Sequence, residues 1–426
     1  MRDRQSRSRH CVILCPPWPR SGSSSIFAAQ TLSYLNLGFD VSVVAVPHDS
    51  THAVDKTGFW RLVSADFKFD PRQSLFLSRS NERARSFLSR SYWSWLKAGR
   101  DSALAIESRI AGRSALDPAF VQRIHSSGIG VLHVNHCVNM RLAQRIRALS
   151  VERRNKAPPI LLDTHDVQAD RYESCEIINP FLGRPDEPTS LACDELALSR
   201  GATALIHLAK RDHQRFQGLL PSKPHFLLRP TIRHELSTIN VSRPDAPIDF
   251  LYLGNGHRAN VRSVEWFLLQ VVPRLDLSRI QVRIAGAVAD SFRDRAPCGL
   301  TTYPNLWMTE RRTVTDLYDA TRFVIVPMTR GSGVSIKLVE ALAMGKFVIA
   351  SPAAIAGLEA IEGLTEAVTI AGSGEDFAQA MTHMASQRHT LNHKGRVLYE
   401  RYLSNSQYAK SLAAIVANVL ACEGGS

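Results

Sequence analysis

Short β-branched runs alternate with helix-patterned segments along the whole 426-residue chain, and this alternation constrains the fold more than any other feature. The runs are HCVILC (10–15), DVSVVAV (40–46), VLHVNH (131–136), PILLDTHD (159–166), TALIHLA (203–209) and HFLLRP (225–230), then IDFLYLG (248–254), QVRIAG (281–286), RFVIVP (322–327), KFVIAS (346–351) and AVTIA (367–371). Most are apolar at successive positions, the pattern of parallel strands covered by helices on both faces. Helices are expected over 26–35, around 140–149, and over 261–275 and 335–344, with a helical insertion over about 60–125. The loop INVSRPDAPI (239–248), with two prolines, reads as a linker. The prediction is an α/β protein of two Rossmann-like doubly wound domains, 1–238 and 245–404, followed by a helix over 405–426. In that last segment Tyr408, Leu412, Ile415, Val416, Val419 and Leu420 form one apolar stripe, an amphipathic helix that can cross back to the first domain. Ligands of such sheets bind at the carboxyl ends of the strands, so two facing domains would enclose a cleft.

The length predicts two or three domains at about 100 to 200 residues each. An apolar fraction of 44% with 21% charged residues is ordinary globular composition and excludes collagen and wholesale disorder. The seven cysteines are scattered with no C-x-x-C pair, so no disulfide framework or zinc site is expected, and a reducing cytoplasm is the simplest compartment. The first apolar run is five residues long and stops at Pro16-Pro17, and no stretch approaches the roughly 20 apolar residues of a membrane span. A cytoplasmic protein, soluble or peripheral on the inner face of the cell membrane, is expected.

The net charge of +13 is lopsided: residues 1–235 carry 33 Lys and Arg against 22 acids, residues 236–426 carry 19 against 17. A basic half attracts phosphates, nucleic acid or anionic lipid. Within it, residues 72–113 hold nine basic side chains interleaved with Phe76, Phe87, Tyr92, Trp93 and Trp95. On a helix Arg79, Arg83, Arg90 and Lys97 fall within about 40° of one another, opposite Leu88, Tyr92 and Trp95. Such a helix can lie on an anionic membrane surface, or it can be a surface helix packed on its own domain with solvated arginines. No zinc-finger spacing, helix-turn-helix or RNP aromatic motif accompanies the charge, so nucleic acid is not expected as a partner.

The segment VPMTRGSGVSIKLVEALAMGKFVIAS (326–351) carries the chemistry. A buried strand ends at Pro327, the loop containing Gly331, Ser332 and Gly333 follows, and a helix begins near Ser335 and stops before Gly345. Glycines let backbone N–H groups approach a phosphate, and a helix N-terminus favours the anion. Lys337 adds a full charge in the first turn, and Glu340, three residues on, shares its face within reach of sugar hydroxyls. The unit reads as a diphosphate clamp with a ribose hook. The alternative is a plain strand-loop-helix in which Lys337 and Glu340 are a solvated pair.

The stretch GSGVSIKLVEALAMGKFVIASPAAIAGL resembles the donor-binding element of GT-B glycosyltransferases of the family 4 type, glycosyl transferases group 1. LYLGNGHRANVRSVEWFLLQVVPRL (251–275) looks like the opening of their second domain, and LDTHDVQADRYES (162–174) and NLWMTERRTVTDLYDATRFVIVP (305–327) extend the likeness. It covers most of 245–405 and only pieces of 1–235. The resemblance implies a nucleotide-diphosphate sugar as co-substrate, with no other cofactor. By that resemblance Glu340 matches the second glutamate of an E-x7-E motif and would bind the ribose. Ser332 stands where the first, sugar-binding glutamate belongs. Backbone of Gly331 to Gly333 with Lys337 would hold the diphosphate. Arg258 resembles the cation that neutralises the leaving phosphate, although the usual Arg and Lys pair is not intact. Asn260 either serves the donor or caps the helix it opens. Retention of anomeric configuration is likewise implied by the resemblance alone.

In the first domain, Gly22 and Ser23 follow the first strand and either approach the donor phosphate or make an ordinary strand-helix turn. His165 and Asp166 end the PILLDTHD strand where a cleft would lie. The imidazole could polarise a sugar hydroxyl, and Asp166 could orient it or act as base. Asp163 reads as a structural residue, and His136 ends another strand as a weaker candidate. No D-x-D pair suggests a metal, and fixed cations with helix amides can stabilise the leaving group, so metal independence is expected. The acceptor is expected to be a saccharide or lipid-linked, and the basic first half favours a polyprenyl-diphosphate-linked saccharide or another anionic lipid-linked acceptor, as in polysaccharide or cell-envelope synthesis. Two rivals share the fold: a nucleotide-sugar 2-epimerase, which would interconvert the donor without acceptor, and a noncatalytic nucleotide- or saccharide-binding relative, which Ser332 keeps open.

Overall fold

A computed structural model describes residues 10–16, 24–46, 75–77, 102–154, 157–174, 177–179, 183–232, 248–293, 306–309, 314–387 and 391–422. The chain forms two compact units. The first comprises residues 1–173, 177–228 and 409–426, the second residues 174–176 and 229–408.

In the first unit the strands are β1 (His10–Cys15), β2 (Asp40–Ala45), β3 (Leu75–Leu77), β4 (Val131–Asn135), β5 (Ile160–Asp163), β6 (Ile178–Asn179), β7 (Arg184–Pro185), β8 (Ala204–His207) and β9 (His225–Leu227). Seven of them make one parallel sheet in the order β3-β2-β1-β4-β5-β8-β9, while β6 and β7 pair antiparallel apart from it. β1 is buried at all six positions, as an apolar run covered on both faces must be. The chain steps outward from β1 through β2 to β3 and then returns to β4 on the other side. The crevice of the sheet is therefore fixed at the carboxyl ends of β1 and β4.

The second unit repeats the plan with β10 (Ile248–Leu253), β11 (Val282–Ala285), β12 (Leu306–Thr309), β13 (Thr321–Val326), β14 (Phe347–Ala350) and β15 (Val368–Ile370). Their order is β12-β11-β10-β13-β14-β15, all parallel, with the switch between β10 and β13. Side chains alternate strictly between two cores: Phe250, Tyr252, Phe323 and Ile325 enter one, and Leu251, Val324 and Val326 the other. The helix Ile336–Ala343 buries Leu338, Val339, Ala341, Leu342 and Ala343 in the second of these. Truncating Leu338 there to alanine would cost about 2–5 kcal/mol. Gly345, at φ 61°, sits just past the end of that helix in the left-handed region that lets the chain turn into β14.

Several sequence expectations change in detail. The helix expected over 261–275 is Arg258–Gln270 followed by a 3-10 turn at Val272–Arg274, because Pro273 has no N–H to continue the α-helical ladder. The insertion expected to be helical contains the edge strand β3, three residues long and too short to show a period; its described helices are Ala103–Gly112 and Pro118–Ser127. β6, β7 and β12 were equally invisible to the pattern. The final helix is Asn405–Cys422, with Tyr408, Leu412, Ile415, Val416 and Val419 buried. Of the basic segment 72–113, Arg79, Arg83, Arg90 and Lys97 lie outside the described residues, as do Gly22, Ser23 and most of the 239–248 linker. No described helix is long and apolar enough to cross a membrane.

Candidate functional site

In the second unit, the loop between β13 and the helix Ile336–Ala343 is tied down from the strand next door. Ser351, at the end of β14, donates from Oγ to the Met328 carbonyl at 2.5 Å. Gly357 lies at φ 93°, and a Cβ there would stand 2.5 Å from the Gly333 carbonyl oxygen. Only glycine permits that approach, which holds the Gly331-Ser332-Gly333 turn in place. Ser335 is the N-cap residue, yet its side chain makes no capping bond, and its buried Oγ has no hydrogen-bond partner among the described residues. A buried hydroxyl without a partner at a helix N-terminus, beside open N–H groups, is suited to an incoming anion.

Lys337 occupies the first turn of this helix. Its Nζ donates to Asn260 Oδ1 at 2.7 Å and lies 5.4 Å from the centroid of the Tyr252 ring. Tyr252 OH donates to the same oxygen at 3.2 Å, while Asn260 Nδ2 donates to Asn255 at its carbonyl (3.2 Å) and its Oδ1 (2.5 Å). These bonds fix the amide orientation and aim the ammonium. Asn260 takes a single hydrogen of the three on Nζ, which leaves donors for a ligand. Burial lowers the Lys337 pKa to about 8, with Glu340 opposing the shift. Glu340 is itself buried, and its Oε2 accepts from Tyr318 OH at 2.9 Å.

In the first unit, polar side chains gather at the carboxyl ends of β4 and β5, beside the switch point. His165 Nε2 lies 2.8 Å from Asn135 Oδ1, and the His165 backbone N–H donates to Asp163 Oδ1 at 3.1 Å. Gln30, from the helix Ser24–Asn36, donates to Asn135 Oδ1 (3.0 Å) and Asp163 Oδ2 (3.2 Å). Asn135 Nδ2 returns a bond to Gln30 Oε1 at 3.0 Å and another to the Leu14 carbonyl at 3.1 Å. His136 and His165 both adopt left-handed backbone, at φ 64° and 59°, and their rings stack 4.3 Å apart. Two non-glycine residues in that region, side by side at strand ends, are strain that the surrounding network must hold. Burial lowers the His165 pKa to about 3, so the ring is neutral at physiological pH, and raises that of Asp163 to about 7. Asp166 is also raised by burial, against the charges of Arg171 and Arg211.

Residues 247–387 match the family model described as Glycosyl transferases group 1. Over those residues the chain is similar to the group 1 glycosyltransferases. Solved structures share the fold over nearly the whole chain. Sucrose-phosphate synthase from Thermosynechococcus elongatus is 13% identical with a TM-score of 0.64, covering 97% of this chain and 99% of that one. HepE from Anabaena in complex with UDP-glucose is 11% identical with a TM-score of 0.62, covering 96% and 99%. The lipopolysaccharide outer core galactosyltransferase WaaB is 11% identical with a TM-score of 0.58, again covering 96% and 99%. These likenesses show the GT-B fold. No curated protein sequence matches the chain.

Within the matched residues, Gly331, Ser332, Gly333, Lys337, Glu340, Asn260 and Arg258 fall on neighbouring loops and helix starts after β13 and β10. Asn260 is not an N-cap: the helix begins at Arg258 after His257, and the Asn260 side chain instead binds back to Asn255 and receives Lys337. Arg258 is exposed at the first helical position. In the first unit, among the described residues, Asn135 hydrogen-bonds the His165 ring and Asp163 its backbone N–H. Sequence reasoning missed Asn135, Gln30, Tyr252, Tyr318 and Ser335. A signal for the first two existed: an amide inside the apolar VLHVNH strand, and a glutamine in a helix that is otherwise mostly apolar around it.

Proposed function

We propose that the glycosyltransferase moves a sugar from a nucleoside-diphosphate donor to a saccharide or lipid-linked acceptor, with retention of configuration and without a metal. The observation that carries this reading is the half-buried Lys337 ammonium, held by Asn260, in the first turn of a helix whose N-cap Ser335 has a buried hydroxyl with no partner among the described residues. A departing nucleoside diphosphate gains negative charge in the transition state, and a fixed cation with helix amides stabilises it without reorganising. Glu340, oriented by Tyr318, binds the ribose hydroxyls. His165 and Asp166 contact the reacting sugars, His165 as a neutral hydrogen-bonding group because its pKa is too low for an acid role. Support comes from relatives: HepE has been solved in complex with UDP and with UDP-glucose, and a TarM variant from S. aureus with UDP. The excess of basic residues in 1–235 supports an anionic, diphosphate-linked acceptor.

A thermal-shift screen with UDP, GDP, ADP and their common sugars tests the reading. A ligand at 100 times its Kd stabilises by about 2.7 kcal/mol, and the effect should vanish in a Lys337→Ala, Glu340→Ala double variant. Turnover should survive EDTA. Absence of any nucleotide shift would remove the donor site, and strict dependence of transfer on added manganese would overturn metal independence.

A further inference from the structure

Histidine 165 has two ring nitrogens, and which one carries the hydrogen decides what the ring can offer a sugar hydroxyl. Asn135 settles the matter. Its Nδ2 must donate, because it faces the Leu14 carbonyl at 3.1 Å and a carbonyl can only accept. Its Oδ1 is thereby turned toward His165 Nε2, 2.8 Å away, and an amide oxygen can only accept. Gln30 closes the arrangement with a reciprocal pair of amide bonds, each 3.0 Å, and bonds Asp163 as well. Gln30, Asn135 and Asp163 are fully buried, so no water competes for these groups. Asp163 in turn holds the His165 backbone N–H and so maintains its left-handed conformation.

We propose that Asn135 is a positioning residue that fixes His165 as the Nε2–H tautomer, with Nδ1 as the acceptor for a sugar hydroxyl, and that Gln30 keeps the Asn135 amide from flipping. This rests on the reading that His165 contacts the reacting sugars. A flipped Asn135 would present its NH2 group to Nε2 and force the hydrogen onto Nδ1, converting that nitrogen from acceptor to donor.

The test uses the full chain labelled with nitrogen-15 histidine, with the His165 signals assigned by their loss in His165→Gln. The unsubstituted protein should show Nε2–H at His165. Asn135→Leu and Gln30→Met should each move that residue toward Nδ1–H while the signals of the other histidines hold, which also certifies the fold. In the same variants kcat should fall about tenfold or more, the effect of one misdirected hydrogen bond, with the thermal shift by the nucleotide unchanged. An Nδ1–H tautomer in the unsubstituted protein, or an unmoved tautomer in a folded Asn135 or Gln30 variant, overturns the proposal even if His165→Gln is inactive. Transfer at the normal rate by His165→Gln overturns the underlying role of His165 itself, and the positioning role falls with it.

Discussion

Lys337 and Asn260, 77 positions apart in the chain, meet at 2.7 Å, the ammonium donating to an amide oxygen that Tyr252 also occupies. The contact places a cation at the mouth of the helix Ile336–Ala343 without neutralising it. A carboxylate in the place of Asn260 would compete with a phosphate for the same charge; a neutral amide orients the lysine and leaves its charge available.

Replacing Lys337 with methionine should therefore weaken binding of a nucleoside diphosphate by about 1.5–3 kcal/mol, the worth of a charge-assisted hydrogen bond. Asn260→Ala should weaken it less. The folded chain should not suffer from Lys337→Met, because the variant removes a partly buried charge. Titration calorimetry and thermal melting check the two halves. Unchanged affinity in Lys337→Met would remove the lysine from the site.

Affinity for the nucleotide should fall as pH rises above about 8, where burial places the Lys337 pKa. The protonated ammonium binds the anion, so each further pH unit costs up to about tenfold. Bound phosphate should raise this pKa, and complex formation near pH 8.5 should take up a proton, measurable by calorimetry in buffers of different ionisation enthalpy. The unfolded chain holds this proton up to the ordinary lysine range, so the same group makes stability rise with pH above about 8. A flat affinity between pH 7 and 9.5 would contradict the assignment.

Tyr318→Phe removes the hydroxyl that donates to Glu340 Oε2 at 2.9 Å. The buried carboxylate loses a partner, and the denaturation midpoint should shift by about 1–3 kcal/mol in stability. If Glu340 binds ribose, Glu340→Ala should bind a nucleotide and its 2′,3′-dideoxy counterpart with equal strength, whereas the unsubstituted protein should prefer the ribose form. A preference that survives Glu340→Ala would place the ribose elsewhere.

Gly357→Ala puts a methyl group 2.5 Å from the Gly333 carbonyl oxygen, in a backbone conformation at φ 93° that a side chain resists. About 1–3 kcal/mol of destabilisation is expected. Nucleotide binding should weaken as well, since relief of the clash moves the Gly331–Gly333 turn. Retained stability with lost binding would show that the loop, not the second unit as a whole, absorbs the change.

The strand and helix pattern of both units could be read from the sequence because each parallel strand must be apolar on both faces and each crossover helix on one. Gly345 likewise announced the end of its helix, and the Gly331 to Glu340 segment showed its chemistry through spacing within a single loop and turn. Such features depend on residues that are close in the chain. β3 and β12, three and four residues long, are not legible in the sequence, whereas the three-residue edge strands β9 and β15 are.

What the sequence could not reveal was which distant side chains would meet. Asn260 reads from the sequence as either a donor contact or a helix cap; its partner is a lysine brought from another βαβ unit by sheet order. Asp166 is the chain neighbour of His165, yet Asn135 from the adjacent strand holds the ring. Local periodicity settled the elements. Only the order and register of the parallel strands decided the hydrogen-bond partners of Lys337, Glu340 and His165, because those partners lie one strand or one crossover away in space and tens of residues away along the chain.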